Sequence, residues 1–223
     1  MLPDSVLPES VAVVAPHADD ETLGCAGLMR RVAAKGGLVQ VWCFHTEEDE
    51  RVAELRDAVR LICEDGHQQV ICLGWDRWFD EGPLSDLVGT VEALLGEFRP
   101  EAVLIPNQGS FHHEHALLAK ATIAACRPAG GTDRYRPRVL AMYEEVTDGF
   151  PSTVGMEPDW FVEMGAIDVA RKVAAMNCHR SQARPAPSER SSEAIEALAT
   201  VRGAQAGFRW AEAYRTLFRG VPY

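Results

Sequence analysis

The chain has 223 residues, of which 47% are apolar and 25% charged, and its formal net charge is −11. A chain of this size buries most of the apolar surface its unfolded form exposes, so its core needs no metal or disulfide. The acidic balance speaks against a nucleic-acid binder or a binder of anionic membranes, since both need a basic face. No stretch approaches the roughly 20 uninterrupted apolar residues of a membrane span. The first ten residues, MLPDSVLPES, carry acids and have no apolar run. A secretory signal is therefore not expected and a cytoplasmic location is. Six cysteines fall at positions 25, 43, 63, 72, 126 and 178, with no C-x-x-C pair. Four of them, Cys25, Cys43, Cys72 and Cys126, lie among apolar neighbours and read as small buried hydrophobes in a reducing cytosol, and the spacing suggests neither a zinc ribbon nor a redox motif.

Apolar runs alternate with helical patterns along the chain. Residues 11–15 (VAVVA) read as a buried strand stopped by Pro16, and 23–34 as a helix ended by Gly36 and Gly37. Residues 38–44 form a second strand. Residues 50–63 form a second helix, with Val52, Leu55, Val59 and Ile62 on one face. A third strand at 69–73, a helix at 84–98, a strand at 102–105 broken by Pro106, a helix at 115–126 and a strand at 138–143 continue the pattern. Beyond residue 146 it loosens. A strand is expected at 160–164 and helices at 169–178 and 193–201, with a further helical region at 210–218. The fold class expected is α/β: a Rossmann-like three-layer sandwich with a mostly parallel central sheet. One domain spans 1–223, as an α/β core over 1–145 and a capping, pocket-forming region over 146–223. Neither G-x-G-x-x-G nor a P-loop follows the first strand, which disfavours the usual nucleotide binders.

Two polar clusters fall just past strand ends. His17, Asp19 and Asp20 follow the first strand; His112, His113, Glu114 and His115 follow the fourth. In a parallel sheet both open on the carboxyl edge, where ligands gather. Together they offer the nitrogen and oxygen donors that suit zinc with three protein ligands and one open position. Taken singly, each cluster also reads as a solvated helix start, with Asp19, Asp20 and Glu21 complementing the helix dipole.

The sequence resembles the LmbE/PIG-L family of zinc-dependent N-acetylglucosaminyl deacetylases. The family's P-H-P-D-D-E appears as Pro16-His17-Ala18-Asp19-Asp20-Glu21, and its H-x-D-H as His112-His113-Glu114-His115. Arg51-Val-Ala-Glu54-Leu55 is similar to its R-x-x-E-L, and His179-Arg-Ser-Gln182 to its H-x-S-Q. Arg202-Gly203 and Trp210-Ala-Glu-Ala-Tyr214 resemble its R-G and Y-A-E-x-F stretches. Departures are Ala18 for proline, Glu114 for aspartate, the extra imidazole His113, and Thr46-Glu47-Glu48-Asp49 where T-x-G-E is usual.

The resemblance implies a metal held by His17, Asp20 and His115, with Asp19 as general base. It implies that His112 stabilises the tetrahedral intermediate or protonates the leaving amine. Zinc is the expected ion, and iron(II) suits the same ligand set. Glu114 reads either as a carboxylate orienting His17 or His115 or as an ordinary first-turn acid. His113 reads as pocket wall or surface, His45 as rim, and His67 as lying on the opposite edge. Arg51 is a candidate for substrate hydroxyls or phosphate, or for an ion pair with Glu54 or Glu47. Asp80 is the substrate-binding candidate, with Asp76 competing. His179 is as readily structural as functional, and Trp75, Trp78 and Phe79 could stack on a sugar.

The expected reaction is removal of an N-acetyl group from an amino sugar or a small molecule containing one. Alternatives are an amidase cleaving a thiol conjugate or a non-sugar acyl amide, and a non-catalytic metal- or ligand-binding module. The partner expected is the small-molecule substrate, with no nucleic acid and no membrane span; a homo-oligomer is compatible with the sequence.

Overall fold

The computed structural model describes residues 7–45, 49–64, 66–75, 82–128, 134–149 and 156–220. Strands and helices alternate as β1 (Ser10–Ala15), α1 (Asp20–Ala34), β2 (Leu38–Cys43), α2 (Asp49–Cys63), β3 (His67–Cys72), α3 (Leu84–Phe98), β4 (Ala102–Ile105), α4 (His113–Ala125) and β5 (Val139–Tyr143). A 3-10 turn (Val146–Gly149), β6 (Trp160–Met164), α5 (Ala166–Cys178), α6 (Ser192–Ala206) and β7 (Trp210–Arg219) follow. No described helix is long and apolar enough to cross a membrane.

The sheet order is β3-β2-β1-β4-β5-β7-β6. Pairing is parallel from β3 through β5, with Val13 set between Val41 and Leu104. β7 runs antiparallel to both β5 and β6. The chain leaves β1 toward β2 and β3, then returns to lay β4 on the other side of β1. This reversal opens a crevice at the carboxyl ends of β1 and β4.

The central strands β1 and β4 are apolar on both faces because both are covered. On one side α1, α2 and α5 pack Leu28, Met29, Leu55, Val59, Ile62 and Ala175 against Val11, Val13, Val41 and Leu104. On the other, α3 and α4 pack Leu87, Val91, Leu95 and Leu118 against Val14, Trp42, Val103 and Ile105. All six cysteines are free; Cys25, Cys43, Cys63 and Cys126 are buried, while Cys72 and Cys178 are half-buried.

Several elements depart from the sequence reading, among them α5 (Ala166–Cys178, expected from 169) and α6 (Ser192–Ala206, expected over 193–201). Residues 210–218 read as helical but form strand β7. Its backbone pairs on both sides, with Tyr214 set between Tyr143 and Trp160. Tertiary pairing overrides a short stretch of mixed propensity there. Helix α1 opens at Asp20, not at residue 23, because the Asp19 carbonyl accepts the Thr22 and Leu23 amides at 3.0 and 2.9 Å.

Strand β7 also fixes α1. The buried Glu212 carboxylate accepts from the Gly27 and Leu28 amides at 2.7 and 2.9 Å, and from Lys172 Nζ and the Tyr214 hydroxyl at 2.7 Å each. Glycine is needed at 27, since a Cβ would fall 2.6 Å from Met164 Sδ and 2.9 Å from a Glu212 oxygen. A buried carboxylate is tolerated here because a cation and three further donors surround it.

Candidate metal centre

Pro16 ends β1, and the next turn carries His17, Ala18 and Asp19 into α1. Asp19 caps that helix with φ 152°, a positive value costly for a side chain with a Cβ. Such strain persists only where the surroundings impose it, and it often marks functional turns. The β4–α4 connection brings His112 in as helix cap, with Glu114 and His115 in the first turn.

Three donors converge across the crevice. His17 Nδ1 lies 3.4 Å from Asp20 Oδ2 and 3.3 Å from His115 Nε2, and that Nε2 lies 3.5 Å from Asp20 Oδ2. The His17 backbone amide donates to the same Asp20 oxygen at 2.7 Å, which fixes the carboxylate. The three ligand atoms all lie within 4.8 Å of one another, close enough for one divalent cation to bind all three. Two imidazole nitrogens and one carboxylate oxygen form a borderline-hard donor set of the kind that holds zinc or iron(II).

Each ring also has a carboxylate on its far side. His17 Nε2 lies 2.6 Å from Glu114 Oε2, and His115 Nδ1 lies 3.9 Å from Glu145 Oε1. Carboxylates so placed fix the tautomer and orientation of metal-binding imidazoles. Burial pulls His17 down, but Asp20 and Glu114 on its two nitrogens outweigh that and hold it at about 10. Burial prevails at His115 and lowers it to about 4, against the pull of Asp20. The hydrogen bond from His17 lowers Glu114 to about 2. Burial opposes ionisation of Asp20, yet His115 and His17 carry it well below the usual carboxylate range.

Asp19 is completely buried beside this trio. Arg190 Nε lies 3.0 Å from Asp19 Oδ2, and Arg51 Nη2 lies 3.7 Å from Oδ1. Arg51 also donates to the Ala18 carbonyl at 3.2 Å. Burial and the Asp20 charge push Asp19 up to about 7, against the pull of Arg190. Beneath the turn, the fully buried His179 meets Glu21 Oε1 at 2.9 Å. Glu54 on α2 binds the Ser181 amide and hydroxyl, at 3.1 and 2.6 Å, and so holds the segment that carries His179. An opening of about 220 Å³ above the trio is lined by Leu23, Ser110, Phe111, His112, Glu145 and Arg190, among others.

The residues read from the sequence come together in part. His17, Asp20 and His115 converge, Asp19 adjoins them, and the His112 ring lies 5.1 Å from that of His17 and 5.0 Å from that of His115. His45 comes closer than a rim position: its ring is 5.4 Å from His17, and its Nδ1 is 4.0 Å from Glu114 Oε1. His113 is exposed, and His67 starts β3 at the opposite edge. Arg51 faces Asp19 and not Glu54, which binds Ser181 instead. Asp76, Trp78, Phe79, Asp80 and Glu47 lie outside the described residues, and Trp75 packs on the core under α3. Glu145 and Arg190 were not read from the sequence. Glu145 could have been, because it follows β5 at the same carboxyl edge; Arg190 sits in a polar connection with no motif to mark it.

Comparison with known proteins accords with this geometry. Residues 12–126 match the family model described as GlcNAc-PI de-N-acetylase, PIG-L. The chain is 27% identical to the 1D-myo-inositol 2-acetamido-2-deoxy-alpha-D-glucopyranoside deacetylase of Mycobacteroides abscessus, over 76% of this chain and 80% of that protein. Its fold matches that of N,N'-diacetylchitobiose deacetylase from Pyrococcus horikoshii, with a TM-score of 0.70, 19% identity, and coverage of 94% of this chain and 84% of that one. It also matches GalB, the 4-carboxy-2-hydroxymuconate hydratase of Pseudomonas putida KT2440, with a TM-score of 0.76, 18% identity, and coverage of 96% and 98%. One fold thus serves more than one chemistry, and the site must decide between them. With just over half its length matched by the family model, and that half carrying both donor loops, the chain belongs to the PIG-L family of GlcNAc-PI de-N-acetylases.

Proposed function

We propose that this chain is a zinc-dependent N-deacetylase that removes an acetyl group from an amino sugar or a small glycoside bearing one. The observation that carries the reading is the convergence of His17, Asp20 and His115 beside a buried, strained carboxylate, Asp19. A cation in that trio would supply Lewis acidity and make a bound water acidic near neutral pH.

The remaining roles belong to the chain. Asp19, with its proton affinity raised to about 7, takes the proton of the attacking water as general base. Water oxygen bonds to the acyl carbon, the carbon–nitrogen bond breaks, and the proton passes to the departing amine, giving acetate and a free amine. Burial and the nearby His17 lower the proton affinity of His112. As a neutral imidazole it donates a hydrogen bond to the developing oxyanion. Arg51 and Arg190 hold Asp19 in place, and Phe111, Arg190 and Glu145 bound the space for the acyl group and the first sugar ring. The family relatives that act on 2-acetamido sugars support this substrate class. Asp80 remains the proposed contact to a sugar hydroxyl.

The test is acetate release from N-acetylglucosamine glycosides beside a panel of non-sugar acyl amides. Wild type, Asp19→Asn and chelator-treated protein reloaded with zinc are compared. Zinc-restored release from the sugars, lost in Asp19→Asn, is the expected result. Release confined to non-sugar amides would shift the substrate class, and none from any amide would remove the reading.

A further inference from the structure

A second set of donors lies on the far side of the His17 ring. While Nδ1 faces Asp20 and His115, Nε2 points the other way and lies 2.6 Å from Glu114 Oε2. His112 Nδ1 lies 3.5 Å from that same oxygen. The ligand atoms of His17, His112 and Glu114 again lie within 4.8 Å of one another. His45 Nδ1 stands 4.0 Å from the other Glu114 oxygen. His112 is exposed, so this side opens to solvent while the first trio is largely covered.

We propose that His17, His112 and Glu114 form a second divalent-cation site, joined to the first through the His17 ring. Both ring nitrogens then act as ligands, Nδ1 to one cation and Nε2 to the other. For the second cation to bind, any proton on His17 Nε2 leaves to solvent. The charges remaining on the ligands are the Glu114 carboxylate and the imidazolate, which suit a doubly charged ion. Two nitrogens and one oxygen favour zinc or cobalt over magnesium or calcium, which prefer all-oxygen sites. The site shares a ligand, requires a deprotonation and lies open to water, so it fills after the first and more weakly.

The consequence for activity rests on the proposed role of His112. A cation on its Nδ1 withdraws that imidazole from the substrate, so zinc activates at low concentration and inhibits once the second site fills.

The experiment is titration of metal-free protein with cobalt, followed by visible absorption, and with zinc by equilibrium dialysis. Wild type, His112→Ala, His112→Asn and Asp20→Asn are compared, with circular dichroism to check the fold. Wild type is expected to take two equivalents in sequence. Both His112 variants should take the first equivalent with unchanged affinity and lose the second, and Asp20→Asn should lose the tight one. Saturation of wild type at one equivalent, or two equivalents retained in both His112 variants, would overturn the proposal. Two equivalents in a protein that releases no acetate from any amide would leave this site standing while removing the deacetylase reading.

Discussion

Arg190 Nε lies 3.0 Å from Asp19 Oδ2, and Arg51 Nη2 approaches the other oxygen at 3.7 Å. The completely buried carboxylate is thus flanked by two guanidinium groups drawn from distant parts of the chain. Arg190 counters the burial and the Asp20 charge that would otherwise keep Asp19 protonated. Asp19→Asn keeps the size of the side chain but cannot act as a base. The variant is expected to lose about 10²- to 10⁴-fold in kcat, the usual contribution of a positioned base. Its zinc content should stay at the wild-type level, and wild-type turnover in the variant would count against Asp19 as base.

The same residue sets a pH limb. Asp19 has its proton affinity raised, to about 7; as the proposed general base it would act only without the proton, so activity is expected above that pKa and is expected to be lost as pH falls through it. A bound dication nearby draws the value down. The acidic limb of kcat/KM is therefore expected between the ordinary carboxylate value of about 4 and about 7. Activity that climbs on acidification through this window would contradict the assignment.

Glu114 holds the far nitrogen of His17 at 2.6 Å. Glu114→Gln keeps a hydrogen-bond acceptor but removes the charge. Partners of this kind are worth about 10- to 100-fold in metal affinity, and a loss of that size is expected in competition against a chromogenic chelator. Unchanged affinity would reduce Glu114 to a first-turn helix acid.

Lys172 and Glu212 form a buried ion pair at 2.7 Å. Lys172→Ala leaves the carboxylate without its cation and is expected to cost about 3–5 kcal/mol in urea unfolding. The double variant Lys172→Met, Glu212→Gln removes both charges and should recover part of that loss. Equal destabilisation of single and double variants would show that the charge balance is not the cause.

Much of the fold was readable because it rests on local pattern. The apolar runs of β1, β2 and β4 and the periodic face of α2 can be seen without knowledge of their neighbours, and the first and second donor loops carry motifs. Residues 210–218 were misread because their strand character comes from pairing with β5 and β6, which lie far earlier in the chain. Arg190 was missed for a similar reason: its meaning comes from Asp19, far away in sequence. His179 was noted, but only its contact with Glu21 reveals it as a support under the first loop and not part of its mouth.

The grip of Glu212 on the Gly27 and Leu28 amides bears on how the chain could be shortened. A fragment ending at residue 126, where the family match stops, would keep every side chain of the first trio. It would lack the strand that clasps α1, the helix whose first residue is Asp20. Such a truncate would carry the donors on a loosened hinge, so the tail belongs to the centre as much as the loops that bear its ligands.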